Sequence, residues 1–371
     1  MPKLLYLVTE DWFFVSHFLP MARTARAAGF EVVVATRVGA HAQRIEAEGC
    51  RVVQLQGERS SVGPLEVTRE FFRIARIIRE ERPDIVHAIA LRMVALGGLA
   101  ARFGGAKRLV LAPVGLGLLW SEDSAINRIV RGVLRIVIGR WLRGPDTRYL
   151  FENTDDPREF GLNEDEVTIV PGAGVDPTEF PQQPEPPTPP LKVAVVARMI
   201  RAKGIEDAVA AVRAARAQGA DVELDLYGTP DTSNRRSCTE AELRTWSGEP
   251  GVSWRGATAD VPGVWRTHHV AMMLTYYREG VPRSLIEAAA SGRPIVTTDA
   301  PGCRDLVRDG QEGILVPPRD TAAAARALVV LAGDAELRRR FGAAAHARFA
   351  ERFTEAEVRR RVNAVYTAFH L

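Results

Sequence analysis

Short apolar runs alternate with longer amphipathic stretches along most of the chain. Residues 4–8, 31–36, 51–54, 84–87 and 108–112 are brief runs dominated by Val, Leu and Ile, bounded by polar, Gly or Pro positions, and read as buried strands. Residues 19–28, 67–80 and 93–103 carry apolar side chains at three- and four-residue spacing, the pattern of a helix with one buried face. Gly29 supplies a stop for the first of these helices, and Arg82-Pro83 ends the second. The alternation restarts past residue 190, with strands predicted at 192–196, 223–227, 252–255, 270–274 and 294–298 and helices at 204–218, 260–267 and 284–291. A last helix is predicted at 355–369. Strands that alternate with helices predict βαβ units and parallel sheets.

The 371 residues correspond to about two domains at roughly 150 residues each. Between the two alternating halves, Pro177, Pro181, Pro184, Pro186, Pro187, Pro189 and Pro190 force an extended, helix-free path. The predicted class is therefore α/β, with two doubly wound Rossmann-like domains facing a cleft: 1–175, a Pro-rich interdomain linker at 176–190 acting as a semi-rigid spacer, and 191–371. The final helix, about 355–371, is free in this scheme to pack back on the first domain. Ligands of such open sheets bind beyond the carboxyl ends of the strands.

Composition narrows the function classes. With 46% hydrophobic and 26% charged residues, the chain is neither disordered nor collagen-like nor a membrane bundle. Its formal charge, 49 − 46 = +3, and the lack of a matching motif disfavour nucleic acid as a partner. Only Lys3, Lys107, Lys192 and Lys203 are lysines, leaving 45 of the 49 basic residues as Arg. Cys50, Cys238 and Cys303 stand far apart and form neither a disulfide framework nor a CxxC pair, which suits a reducing compartment. The apolar run at 4–8 is too short for the core of a signal peptide, and no stretch approaches the ~18 apolar residues that span a bilayer. A cytoplasmic protein is expected, soluble or peripheral on the cytoplasmic face of a membrane.

Two segments carry candidate chemistry. In 278–288, Glu279 follows a strand and Glu287 stands about one turn into the next helix, with seven residues between them. Such a loop delivers backbone N–H groups and a helix start to a strand end, a ready anion site. A sugar nucleotide would place its diphosphate on those amides and its diols on the acids. The bland alternative, a solvated loop residue and a surface helix residue, suits any isolated pair of glutamates equally well. The second segment, 197–204, follows the first strand of the second half and holds Arg198 and Lys203. Both can reach a diphosphate, Arg as a fork and Lys as a point charge, and would neutralise a departing phosphate. A solvated βα loop is the alternative there.

Glu279–Glu287 resembles the E-x7-E motif of retaining GT-B glycosyltransferases of family 4, and Arg198 with Lys203 is similar to that family's Arg/Lys phosphate clamp. The stretches 171–176 (Pro-Gly-Ala-Gly-Val-Asp), 294–298, 302–307 and 313–317 resemble the same family, and the opening 9–17 with 115–117 resembles its bacterial subgroup that builds capsule, O-antigen or glycan precursors on undecaprenyl diphosphate. The resemblance spans nearly the whole chain and is most specific over 191–320. It implies the GT-B fold and a retaining transfer from a nucleotide sugar, a UDP-sugar by family frequency, to a lipid-linked saccharide. No metal or other cofactor is implied. By the same resemblance, Glu279 faces the donor sugar, as a stabiliser rather than the nucleophile of a retaining glycosidase, and Arg198 and Lys203 hold the diphosphate. Glu287 binds the ribose, and the amides around Gly280, Val281, Arg283 and Ser284 complete the phosphate nest. Pro282 stands where the family often has Gly, and 112–115 lacks the family's His; His17 or His87 are the substitutes in reach. Trp12, His17 and Gly115 are the candidate acceptor residues.

Residues 126–143 hold five Arg and no acid. On a helix, Arg128, Arg131, Arg135 and Arg143 share one face and Ile129, Val130, Val133, Val137 and Trp141 the other. That pattern predicts either an interfacial membrane helix or a domain helix whose apolar face meets the core. Two other classes remain as alternatives, a sugar-nucleotide epimerase of similar fold and a non-enzymatic nucleotide-sugar binder. A nicotinamide dehydrogenase is disfavoured because no strand ends in G-x-G-x-x-G.

Overall fold

The computed structural model describes residues 1–55, 63–232, 234 and 236–370. The chain divides into two compact units, Met1–Gly174 with Glu355–Leu371, and Val175–Thr354.

The first unit is built on seven strands: β1 Lys3–Glu10, β2 Glu31–Arg37, β3 Arg51–Gln54, β4 Ile85–Ile89, β5 Arg108–Ala112, β6 Thr147–Phe151 and β7 Val167–Ile169. They pair in the order β3-β2-β1-β4-β5-β6-β7, every pair parallel. The second unit holds β8 Leu191–Val196, β9 Val222–Tyr227, β10 Val252–Gly256, β11 Val270–Met273, β12 Ile295–Thr298 and β13 Gly313–Val316. Their order is β10-β9-β8-β11-β12-β13, again all parallel. Helices cover both faces of each sheet, so the central strands are buried on both sides. Residues 4–8 of β1 and all of β4 and β11 are buried, which is why they read as unbroken apolar runs. The predicted α/β class, with two doubly wound parallel sheets, is the observed one.

Each sheet reverses its winding beside its first strand. The helix after β8, Ile205–Ala217, packs in one core layer with Leu243 and Leu328. The helix after β11, Arg283–Ala290, packs in the opposite layer with Trp265 and Phe349. Right-handed crossovers force this divergence, and the adjacent ends of β8 and β11 become the point where two loops part.

Three differences from the expected organisation have physical causes. Strands β6, β7 and β13 were not predicted: β7 has three residues, all half-buried, too few for a period to show. Residues 176–190 are not a free spacer but belong to the second unit. Gln183 N donates to the Ser291 carbonyl at 3.1 Å, and the buried Arg293 donates to the Trp265 and Pro184 carbonyls at 2.6 and 2.7 Å. The buried Arg338 ion-pairs with Glu185 and donates to Thr188 Oγ1 at 3.1 Å. Prolines supply carbonyls but no donors, so basic side chains tie the segment down. Finally, the expected second domain, 191–371, stops at Thr354.

The helix Glu355–Thr367 returns to the first unit, where Val358, Val362, Val365 and Tyr366 enter the core beside Leu19 and Phe30. Tyr366 Oη lies 2.7 Å from Tyr6 Oη and 2.9 Å from His87 Nδ1, all buried. Burial pushes the His87 pKa down from 6.5 to about 3. Folded His87 thus binds fewer protons than unfolded His87 across that window. Its contribution to stability is complete above about 6.5 and declines as pH falls towards 3. The melting temperature is expected to drop between pH 7 and pH 5, and to drop less in His87→Asn. Tyr366→Phe removes a hydroxyl that partners two buried polar groups and is expected to cost about 1–3 kcal/mol in urea unfolding.

Candidate active site

The loops that follow β8, β11 and β12 are sewn together at the divergence point. The Ala202 carbonyl accepts from Thr275 Oγ1 at 3.0 Å and from Tyr276 N at 3.2 Å. Thr297 Oγ1 donates to the Met273 carbonyl at 2.7 Å, and Thr298 Oγ1 donates to the Thr275 carbonyl. Two glycines make the approach possible. At Gly204 (φ +70°) a Cβ would stand 2.1 Å from the Leu274 carbonyl oxygen. At Gly302 (φ +83°) it would stand 2.1 Å from the Gly280 carbonyl oxygen. Both distances are shorter than any side chain tolerates, and both φ values lie in the left-handed region. Thr275, Thr297, Thr298 and Gly302 were missed as structural supports, because the two threonines of β12 look like any β-branched strand formers and Thr275 and Gly302 stand in loops.

This backbone brings Lys203 and Glu279 into contact: Lys203 Nζ donates to Glu279 Oε2, each side chain being 14% exposed. Arg198, in the same loop as Lys203, donates from Nη1 to Asp231 Oδ2 at 2.5 Å. The helix Arg283–Ala290 begins after Pro282 (φ −62°), whose carbonyl accepts from Leu285 N and Ile286 N at 3.1 and 3.2 Å. Proline at the helix cap lacks a donor where none is needed for the helix itself. Val281 is buried in the core, and Arg283 and Ser284 are half-buried at the helix start. Glu287, one turn on, is buried and accepts from Arg283 Nε at 2.8 Å. Burial raises its pKa, and the Arg283 charge opposes that rise.

Thus Glu279, Lys203, Gly280, Val281, Arg283, Ser284 and Glu287 come from the β8 and β11 strand ends and the one helix that follows. Arg198 stands on the β8 loop, turned towards the β9 loop. Three cationic side chains, a helix start and two acids at one strand-end edge suit a doubly charged phosphate ester carrying hydroxyls. Among the described residues no cluster of three or more His, Cys, Asp or Glu is arranged to hold a metal ion.

The candidates of the first unit lie at its own strand ends. Trp12 and His17 sit on the helix Asp11–His17, directly after β1. The buried Asp11 carboxylate accepts from Trp12 N, Gly39 N and His41 N at 2.7, 2.7 and 3.0 Å and so fixes this turn against the β2 loop. His17 Nδ1 lies 2.6 Å from Ser16 Oγ, and its ring is 4.7 Å from Phe13. Gly115 (φ +91°) follows β5 in a loop where Val114 also has positive φ, +57°, an uncommon state for a β-branched residue. Strand β4 separates β1 from β5. His87, named as a substitute donor-sugar contact, is fully buried on β4 and bonded to Tyr366. It is a core residue.

The segment 126–143 is a helix, Ala125–Ile136, capped by Ser124 Oγ accepting from Asn127 N at 3.1 Å, followed by a wider turn Val137–Trp141. No residue of that helix is buried. The apolar stripe of this helix and turn faces outward, with Ile126 73%, Ile129 68%, Val133 53% and Trp141 63% exposed, whereas Val137, expected on the same face, is buried in the core. Single exposed apolar residues are ordinary, but a contiguous stripe is not. The expected unpaired basic face is largely neutralised: Arg128 and Arg131 pair with Asp123, Arg135 with Glu159 and Arg143 with Glu166. The acids lie outside the segment, so a local count missed them. Among the described residues Arg140 alone of the five has no carboxylate partner. No helix among the described residues is long and apolar enough to cross a membrane.

Known proteins share this architecture. Residues 190–334 match the family described as glycosyl transferases group 1, and residues 3–137 match the glycosyl transferase 4-like family. The N,N'-diacetylbacillosaminyl-diphospho-undecaprenol alpha-1,3-N-acetylgalactosaminyltransferase of Campylobacter jejuni is 23% identical over 340 residues, 87% of this chain and 88% of that protein. A phosphatidyl-myo-inositol mannosyltransferase of Mycobacterium leprae is 48% identical, but only over 60 residues, 16% of each chain. Among solved structures, HepE of Anabaena in complex with UDP-glucose superposes with a TM-score of 0.78 at 17% identity, over 99% of this chain and 100% of that one. Sucrose-phosphate synthase of Thermosynechococcus elongatus gives 0.79 at 18%, over 100% and 99%. With both units matched to glycosyltransferase families and the whole fold shared with such enzymes, the chain is a glycosyltransferase of the GT-B fold.

Proposed function

We propose that this enzyme transfers a sugar, with retention at the anomeric carbon, from a UDP-sugar to a saccharide carried on a polyprenyl diphosphate in surface-polysaccharide synthesis. The observation that carries the reading is the meeting of Lys203 and Glu279 where the β8 and β11 loops part, beside the start of the helix that bears Glu287. The Campylobacter relative is named for an undecaprenyl-diphosphate-linked acceptor, and the Anabaena neighbour was solved with UDP-glucose.

In this reading Arg198, Lys203 and the amides at Arg283 and Ser284 bind the diphosphate, and Glu287 accepts from the ribose hydroxyls. As the bond from the anomeric carbon to the phosphate oxygen breaks, charge builds on the diphosphate, where the two cations and the helix start are already in place. The acceptor hydroxyl attacks on the face that the diphosphate leaves and gives its proton to the departing phosphate oxygen. Glu279 holds Lys203 and lies beside the developing positive charge on the sugar. The cationic side chains do the work that other transferases give to a metal ion. The apolar stripe of Ala125–Ile136 with Trp141 would rest on the membrane that carries the acceptor.

The stereochemistry is tested by NMR of the first-formed product, which is expected to keep the donor's anomeric configuration; turnover is expected to persist in EDTA. Glu287→Ala should raise the dissociation constant for UDP about ten-fold, one charged hydrogen bond's worth. Glu279→Gln should leave UDP binding within a few-fold and lower kcat by about a hundred-fold, as for one electrostatic contact to a transition state. Equal effects of both variants on binding and rate would falsify the assignment. Flotation with vesicles of phosphatidylcholine and phosphatidylglycerol should be lost in Ile129→Gln/Val133→Gln/Trp141→Gln. It should survive Arg128→Gln, because an exposed pair is worth about 0–1 kcal/mol and is already spent on Asp123. Flotation unchanged in the triple variant overturns the membrane reading.

A further inference from the structure

One carboxylate at the candidate site has been given no role. Asp231 lies in the chain after β9 and accepts from Arg198 Nη1 at 2.5 Å; Asp231 is 14% exposed and Arg198 42%. Asp231 is itself anchored. Its N–H donates to Ser237 Oγ at 2.8 Å, and its carbonyl accepts from Asn234 N at 2.8 Å. Ser237 Oγ in turn donates to the carbonyl of Met199, the neighbour of Arg198, at 3.3 Å. Backbone bonds lace the same two segments: Met199 N to the Thr229 carbonyl at 3.0 Å, Cys238 N to the Met199 carbonyl at 2.8 Å, and Arg201 N to the Arg236 carbonyl at 2.9 Å. The described residues around Arg198 and around Asp231 are therefore tied together by hydrogen bonds.

A half-exposed arginine on four rotatable bonds loses rotamer freedom when a ligand fixes it. A carboxylate on a rigid loop removes most of that loss beforehand. The guanidinium carries five donors in a planar fork, so a bond to Asp231 does not exclude a bond to a phosphate oxygen. We propose that Asp231 is a positioning residue, which holds Arg198 aimed at the diphosphate before the nucleotide binds and keeps its hold afterwards. The proposal rests on the reading of Arg198 as a phosphate ligand.

Titration of the full chain with UDP, GDP and ADP in EDTA, for the wild type, Asp231→Asn, Asp231→Glu, Arg198→Ala and the double variant Arg198→Ala/Asp231→Asn, tests it. Asp231→Asn is expected to weaken binding of the preferred nucleotide about ten-fold, the worth of one charge-assisted hydrogen bond. Asp231→Glu should restore most of it, and Asp231→Asn should change nothing further once Arg198 is Ala. That last readout is one a merely structural role would not give. Binding by Asp231→Asn as tight as wild type, or tighter, overturns the proposal and makes Asp231 a competitor of the phosphate. So does an equal loss with and without Arg198. If Asp231→Asn does not fold, Ser237→Ala replaces it, since it frees the anchor and leaves both charges; unchanged binding there overturns the proposal too. If no nucleotide binds the wild type, or Arg198→Ala binds as wild type does, the underlying reading of the site fails instead.

Discussion

The contact of the Gly204 turn with the Leu274 carbonyl is the constraint on which the candidate site depends. Adjacent parallel strands whose crossovers run to opposite faces leave a gap at their ends, and the loops must close part of it with backbone alone. A side chain at residue 204 would meet the Leu274 oxygen at 2.1 Å. Absent that turn, the Ala202 carbonyl could not accept from Thr275 and Tyr276, and Lys203 would not reach Glu279. Main-chain geometry, rather than attraction between charges, sets the position of the charged groups.

Those groups are paired within the chain: Lys203 with Glu279, Arg198 with Asp231, Arg283 with Glu287. A half-buried charge without a partner is costly, and a partner offsets that cost. Ligand affinity is then the difference between two sets of charge-assisted contacts, the one made with a diphosphate and the one made within the chain. A weak net affinity and a well-ordered site are compatible under this arrangement.

Much of the architecture was legible because central strands of a parallel sheet are buried on both faces and their apolar runs are unmistakable. The same rule explains part of what was missed. Edge strands such as β7 are half-buried and short, so they leave no period. Proline spacing indicated an extended path at 176–190, whose first residues instead turn on the Asp176 carbonyl, and it could not show that Arg293, Arg338 and His269, all distant in sequence, hold the segment. Glu279, Glu287, Arg198 and Lys203 were visible as residue types at strand ends. The partner of Arg198 was not, since Asp231 sits in a loop without pattern. In 126–143 the amphipathic period was readable, whereas the neutralising acids Asp123, Glu159 and Glu166 lie outside the segment.

The return of Glu355–Thr367 to the first unit has a consequence for biosynthesis. A ribosome makes the chain from its amino end, yet the core around Tyr6, Phe30 and His87 is completed by Val358, Val362 and Tyr366. The half synthesised first is thus the half that waits longest for its last buried surface, while the Val175–Thr354 unit has its whole sequence out earlier. Until residues 355–367 have been made, the apolar flank formed by the helix Leu19–Ala27 and its neighbours stays open to water, and a nascent chain in that state is a natural client for a chaperone.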